Sequence, residues 1–312
     1  MCPFRTLEEV PPPYRVKWCR ALSTILRRIL AAQTEEELNR GLKWFLISAQ
    51  VLLREPKRGG KRGQSNGHLT ARFDCLTNGD WGSLLALWVA DKQALDLRQG
   101  RGGRRQRVED PALSAAKLRK TVLSMLARGQ VGRAVRRICS NGVASMDDPV
   151  VRAALQSKYK PREKDLPATV TKGECLQALG GLRESLLELA TGVSPGFGGL
   201  RNEHLRCFAE VGEQEDINLL ESFSLKYLNG ELPPWFSKVW NSVSTVPLYK
   251  PDDSVRPVGI KPSFIRDLHK GVVRGNREVL TEFLEPQQLA LSQAGGAKLV
   301  HSVRMMLEQK RE

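Results

Sequence analysis

The segment from residue 243 to residue 270 constrains the fold of this chain more than any other stretch. It reads VSTVPLYKPDDSVRPVGIKPSFIRDLHK, with two short runs of strand-favouring residues on either side of a Pro-Asp-Asp-Ser sequence. Proline, aspartate and serine are typical turn residues, so the pattern predicts a strand, a tight turn and a second strand. The residues after the second strand favour a helix.

Two basic side chains flank the predicted turn. Lys250 ends the first strand, and Arg256 lies near the start of the second, followed by Pro257. Side chains alternate between the two faces of a strand. A turn of three or five residues after Lys250 therefore places both cations on one face, whereas a four-residue turn separates them. Two cations on one face suit a triphosphate or a nucleic-acid backbone, and two solvated cations without a ligand are the alternative.

Positive charge is concentrated in the N-terminal half of the chain. The net charge is +15, and residues 1–170 hold 32 of the 49 Lys and Arg but only 16 of the 34 Asp and Glu. Such an excess favours a polyanionic partner or an anionic membrane surface. Because the composition changes near residues 160–167, we predict a boundary there between a basic helical region (1–165) and a second domain (166–312).

Two segments rich in arginine and glycine carry much of this charge. They are REPKRGGKRGQSNG (54–67) and RQGRGGRRQR (98–107), both predicted to be loops, and a predicted helix at 131–138 brings further arginines together. Such segments contact phosphates with little sequence preference, although a solvated linker or a nuclear-import segment is the alternative. The predicted nucleic-acid-binding residues are Arg58, Lys61, Arg62, Arg101, Arg104, Arg105, Arg107, Arg133, Arg136 and Arg137.

Helical periodicity dominates the rest of the sequence. A glycine-rich turn (191–199) interrupts it, but this turn lacks the Gly-Lys-Ser/Thr of a nucleotide-binding loop and is interpreted as a chain turn. A helix begins near Asn202, and Asn229-Gly230 is a typical helix stop. The other predicted helical segments are 14–53 with an acidic break at Glu35–Glu37, 113–127, 131–138, 171–190, 265–284 and 296–309.

The sequence offers no recognisable catalytic or metal site. The six cysteines are scattered and none has zinc-ligand spacing, while the four histidines are predicted to be surface or core residues. The N-terminus has no apolar signal-peptide core, and no apolar run approaches the roughly 20 residues of a membrane span. We therefore predict an intracellular protein without a membrane partner, catalytic residue or bound metal, with nucleus and cytoplasm both open.

Four blocks in the second half resemble, in order and approximate spacing, the N-terminal part of reverse transcriptases from non-LTR retrotransposons. They are TGVSPGFGGLRNEHLR (191–206), LPPWFSKVWNSVSTVPLYKPDDSVRPVGI (232–260), KPSFIRDLHKGV (261–272) and LEPQQLALSQAGGAKLVHSVRMMLE (284–308). The first is similar to a Pro-Gly-x-Asp-Gly block, and the second to a Leu-x-Lys-Pro … Arg-Pro-Ile hairpin. The chain departs from the family pattern at Gly198, where the family usually has Asp, and at Lys298, where it usually has Glu.

The resemblance implies an α+β, predominantly helical fold that comprises the fingers and the start of the palm of a polymerase right hand. It implies RNA-directed DNA polymerisation, with an RNA template and DNA as partners. In the complete enzyme, Lys250 and Arg256 contact the triphosphate of a deoxynucleotide. A non-enzymatic RNA-binding or scaffold protein derived from a retroelement is the alternative.

The resemblance also implies that these residues are inactive by themselves. In the family, the aspartates that hold two magnesium ions belong to motifs that would follow residue 312. No cofactor is therefore expected in this chain, although Mg²⁺ is expected for the complete enzyme. A missing palm predicts that apolar faces of segments 265–284 and 296–309 are partly exposed.

Overall fold

Helices make up most of the protein, and the strands Ser244–Tyr249 and Val255–Ile260 form a two-stranded antiparallel sheet. The computed structural model describes residues 5–55, 65–101, 111–127, 129, 131–139, 143–158, 179, 181–250, 252, 254–284 and 295–309. The helices and strands are α1 (Arg15–Leu30), α2 (Glu35–Leu52), α3 (Ser65–Thr77), α4 (Trp81–Arg101), α5 (Pro111–Ala127), α6 (Val131–Ile138), α7 (Pro149–Gln156), α8 (Leu182–Leu187), α9 (Asn202–Val211), α10 (Gln214–Leu228), α11 (Pro234–Trp240), β1 (Ser244–Tyr249), β2 (Val255–Ile260), α12 (Ser263–Gly275), α13 (Arg277–Leu284) and α14 (Gly295–Gln309). The predicted α+β class with a predominance of helix is confirmed.

The chain packs as two compact units, Met1–Phe264 and Ile265–Glu312. The packing boundary lies in the first turn of α12, whereas the boundary predicted from composition at 165/166 lies outside the described residues. Helix α1 packs against α9 and α10 within the first unit. The change in charge and the change in packing therefore occur at different places along the chain.

The first two helices are separated by a helix cap. Thr34 accepts a hydrogen bond from the Glu37 backbone N–H (3.2 Å), and the Glu37 carboxylate accepts one from the Thr34 N–H (3.3 Å). This capping box satisfies backbone donors at the start of α2, where acidic residues also favour the helix dipole. The acidic break predicted at Glu35–Glu37 is therefore the first turn of α2.

An aromatic core holds the hairpin's flanking helices in place. The Phe45 ring of α2 lies 4.6 Å from that of Phe223 and 5.4 Å from that of Trp240, measured between centroids. Trp240 in turn contacts Phe236 at 5.0 Å and Phe264 at 5.7 Å. Because Trp240 precedes β1 and Phe264 follows β2, this core fixes both ends of the hairpin.

The glycine-rich turn 191–199 is packed tightly against backbone. A Cβ atom at Gly196 would lie 2.6 Å from the backbone of Pro262, and one at Gly198 would lie 2.8 Å from the carbonyl oxygen of Leu46. The Gln50 amide also donates to the Phe197 carbonyl (2.8 Å). The prediction of a chain turn fits this packing role, and the contact with α2 explains why residue 198 carries no side chain.

The two predicted basic loops differ from expectation at their edges. Arg54 is buried, where it donates to Asp91 and to the carbonyl oxygens of Val51 and Leu87. Burial lowers the pKa of Arg54, and Asp91 opposes this shift. Arg54 does lie outside the helices, but charge did not predict its burial, in which a carboxylate and two carbonyls replace its water shell.

Helix boundaries account for the other differences. Helix α4 continues through Arg101, so residues 98–101 of the second predicted loop are helical. Helix α3 (Ser65–Thr77) begins inside the first predicted loop. Leucine, arginine and glutamine before residue 100 are good helix formers, which outweighs one glycine. The remainder of both segments, residues 56–64 and 102–107, lies outside the described residues, as does 171–178 of the helix predicted at 171–190.

The second unit, described by itself, exposes much of its apolar surface. Helix α13 buries no residue, and Phe283 is 81% exposed. In α14, Met306 is 63% exposed and Leu299 57%. The predicted partial exposure of the apolar faces at 265–284 and 296–309 is confirmed, although Ile265 and Leu268 of α12 are buried. None of the helices in the described parts of the chain is long and apolar enough to cross a membrane.

Candidate nucleic-acid interface

The register of the hairpin settles the relative orientation of its two cations. Leu248 pairs with Arg256, and the Lys250 N–H donates to the Ser254 carbonyl (2.8 Å). Three residues therefore separate Lys250 from its cross-strand partner, which is one of the odd turn lengths considered above. Because directly opposed residues share a face, Lys250, Leu248 and Arg256 lie on the same side of the sheet.

The opposite face of the hairpin packs against α7. Val255 belongs to a buried apolar cluster with Ala144, Val151 and Leu155. The Ala144 N–H also donates to the Pro247 carbonyl (3.1 Å), and Val143 forms an isolated bridge with Leu248, so the segment before α7 lies along the edge of β1. One side of the hairpin is thus closed by the protein, and Arg256 on the other side is exposed.

The turn itself is ordered by an aspartate. The Asp252 carboxylate accepts hydrogen bonds from the Ser254 hydroxyl (2.8 Å) and backbone N–H (3.1 Å). These bonds lower the pKa of Asp252, and the positive charge of Lys250 lowers it further. This is the local Asx-type bonding typical of turns, so Asp252 shapes the loop.

The predicted arginine cluster at 131–138 lies on a single helix, α6. Arg133, Arg136 and Arg137 are spaced to share one side of this helix, and Arg137 is exposed. The start of α6 lines an open cleft together with residues 188–193 and Arg206. The helix therefore brings together three of the predicted nucleic-acid-binding residues.

The other predicted contact residues are placed less completely. Arg101 ends α4. The remaining six lie outside the described residues; they are Arg58, Lys61, Arg62, Arg104, Arg105 and Arg107. Lys250 and Arg256 therefore form the predicted pair whose relative orientation is defined best.

The scattered histidines and cysteines differ in burial where the structure describes them. His204 is fully buried, and burial lowers its pKa to about 3. Cys19 and Cys207 are buried free thiols whose pKa values burial raises to about 12 and about 11. His68, His269 and His301 are exposed. Among the described residues, no group of three or more His, Cys, Asp or Glu could hold a metal ion.

One aromatic and basic cluster was missed by the sequence analysis. Trp44 and Trp81 lie with their ring centroids 4.8 Å apart, and the Arg28 guanidinium stacks over the Trp81 ring at 4.4 Å. Their helices bring the three residues together although they are far apart in the sequence. No sequence signal linked these residues, because their adjacency depends on how the helices pack.

Neither a protein-family model, nor a curated protein, nor a solved structure matches this chain.

Proposed function

We propose that this chain provides the fingers and the start of the palm of an RNA-directed DNA polymerase of the non-LTR retrotransposon type. In this proposal it binds RNA and DNA through its basic N-terminal half and through the hairpin β1–β2. The observation that carries the proposal is the hairpin register, which puts Lys250 and Arg256 on one face. The four sequence blocks that resemble this family support the same assignment.

The chemistry of the hairpin suits a phosphate chain. Arginine offers a planar fork of donors that matches phosphate oxygens, while lysine supplies a compact positive charge. Arg256 is exposed, and the packing of Val255 against α7 holds the strand that carries it. A triphosphate lying across this face would contact both cations without a rearrangement of the sheet.

We expect these residues to bind nucleotides and nucleic acid without polymerising. The resemblance assigns the metal-holding aspartates to motifs outside residues 1–312. Two-metal catalysis supplies the stabilisation of charge in nucleotidyl transfer, so binding and catalysis would depend on different parts of the polymerase.

A titration with a fluorescent deoxynucleoside triphosphate analogue tests the proposal. Lys250→Gln and Arg256→Gln should each weaken binding by about tenfold, since each removes a hydrogen bond to a charged group. Lys238→Gln is the matched control, because Lys238 is an exposed cation on the neighbouring helix α11. Its affinity should equal that of the wild type.

Equal affinities for all three variants would contradict the role of the hairpin. A wild-type chain that binds RNA but no triphosphate would favour the alternative, a non-enzymatic RNA-binding protein. A chain that binds neither would contradict the whole proposal.

A further inference from the structure

A cleft lies where the end of α1, the start of α2 and the start of α4 meet. Its walls include Trp44, Trp81, Arg28, Arg40 and Glu37, and its volume is about 320 Å³. This volume falls within the range of roughly 300–1,000 Å³ that is typical of small-molecule sites. The cleft is separate from the hairpin and from α6, and no site predicted from the sequence includes it.

The aromatic walls of the cleft form a stacking platform. The rings of Trp44 and Trp81 are tilted by 60° to each other, and the Arg28 guanidinium extends the platform over Trp81. Both tryptophans are half-buried, so part of each indole surface stays accessible. Flat aromatic ligands stack favourably on indole and guanidinium planes.

Two arginines and one carboxylate line the cleft, so the charge of its lining is net positive. The Glu37 carboxylate is engaged by the backbone N–H groups of Gln33 and Thr34, so it already has partners outside any ligand. Arg40 is paired with Glu36 at an exposed site (2.6 Å) that water screens, and such pairs are weak. Arg28 and Arg40 are therefore both available to a phosphate, while a cationic ligand would meet two like charges.

We propose that this cleft binds a nucleobase together with its 5′-phosphate. The base stacks on the indole and guanidinium platform. The phosphate accepts hydrogen bonds from Arg28 and Arg40. The proposal deepens the nucleic-acid binding proposed above and rests on it. The ligand is either a nucleotide within a single strand or a free mononucleotide.

Matched variants on the same helices test this site. We would measure the affinity of the full chain for a fluorescein-labelled single-stranded oligonucleotide and for adenosine 5′-monophosphate. Trp81→Ala and Arg28→Gln should weaken binding by roughly 5- to 150-fold, the range expected for the loss of one stacked base. Trp88→Ala and Arg20→Gln are the controls, since Trp88 is half-buried on α4 and Arg20 is exposed on α1. Both controls should bind like the wild type.

A second measurement covers the case in which Trp81→Ala does not fold. Binding of the oligonucleotide to the wild-type chain should shift the indole N–H resonances of Trp44 and Trp81, assigned with Trp44→Phe and Trp81→Phe. Unshifted resonances in a saturated complex, or full affinity in a folded Trp81→Ala, would overturn the site while leaving nucleic-acid binding intact. A wild-type chain that binds neither probe would overturn both proposals. Competition by the monophosphate would identify the free nucleotide as a ligand, and its absence would restrict the site to strands.

Discussion

Gly198 shows how one residue reports on the packing around it. A Cβ atom there would lie 2.8 Å from the Leu46 carbonyl oxygen, closer than a normal contact and against backbone that cannot rotate away. An Asp at this position, which the resemblance described above would lead us to expect, would place its Cβ against that oxygen. The glycine is visible in the sequence, but its contact with α2 required the structure.

We predict that Gly198→Ala lowers the free energy of unfolding by about 1–3 kcal/mol, because overpacking forces the turn away from α2. Gly82→Ala is the control, since the nearest atom to its Cβ would be 3.8 Å away in the first turn of α4. That change should be neutral or stabilise the protein, by up to about 1 kcal/mol, because alanine favours helix. Urea unfolding monitored by circular dichroism measures both. Equal effects of the two variants would show that the contact with Leu46 does not determine the change in the free energy of unfolding.

His204 gives the protein a pH dependence that its burial dictates. Its Nδ1 accepts from the Arg201 N–H (3.3 Å), so the proton lies on Nε2, which donates to the Leu7 carbonyl (2.8 Å). Burial lowers the pKa of this imidazole to about 3, whereas an unfolded histidine has a pKa of about 6.5. Below about pH 6.5 the unfolded state therefore binds a proton that the folded state does not bind.

As the pH falls from about 6.5 to about 4.5, this linkage should lower the free energy of unfolding of the wild type by about 2 kcal/mol. Above about pH 6.5 the effect vanishes. His204→Gln should remove this component of the slope while it preserves a donor and an acceptor. His68→Gln, at an exposed position, should keep the wild-type slope. Urea midpoints across the pH range measure the difference, and parallel curves for wild type and His204→Gln would contradict the assignment.

At the level of elements, local signals predicted some boundaries. The helix stop predicted at Asn229-Gly230 follows the end of α10, with Gly230 at a φ of 72°. The start of α2, where Thr34 and Glu37 form a capping box, was predicted only as an acidic break. These signals are local because caps and turns depend on adjacent residues. The burial of Arg54 was not predictable in this way, since its partner Asp91 comes from another helix.

The hairpin depends on an element that precedes it in the chain. We expect Val151→Ala to lower the free energy of unfolding by about 2 kcal/mol, because Val151 is buried in the cluster with Val255. Val150→Ala is the control on the same helix, where the side chain is 74% exposed and should matter by less than about 0.5 kcal/mol. Hydrogen exchange of the β2 amides should also accelerate in Val151→Ala alone. Unchanged exchange in β2 would show that α7 does not hold the hairpin.

At the scale of the whole molecule, the sequence predicted which kinds of element form better than it predicted which elements contact one another. The charge asymmetry, the helical class and the hairpin all follow from local patterns. Trp44 contacts Trp81, and α1 packs against α10. Both contacts depend on how the helices pack, and no spacing of residues in the sequence predicts them. The same limit explains why the basic half shares a compact unit with residues up to Phe264, across a sharp change in charge.

The final prediction follows from the charge of the whole chain and concerns how affinity depends on salt concentration. If the basic half contacts about five phosphates of a single strand, affinity should fall about 100-fold between roughly 50 mM and 200 mM salt, because each contact releases condensed counterions. Arg133→Gln, Arg136→Gln and Arg137→Gln combined should make the slope of log affinity against log salt shallower by about two. Replacing three acidic side chains of α10 by amides, Glu215→Gln, Asp216→Asn and Glu221→Gln, should not make it shallower, since these groups contribute no cation to the interface. An affinity that hardly responds to salt would contradict electrostatic binding by the basic half.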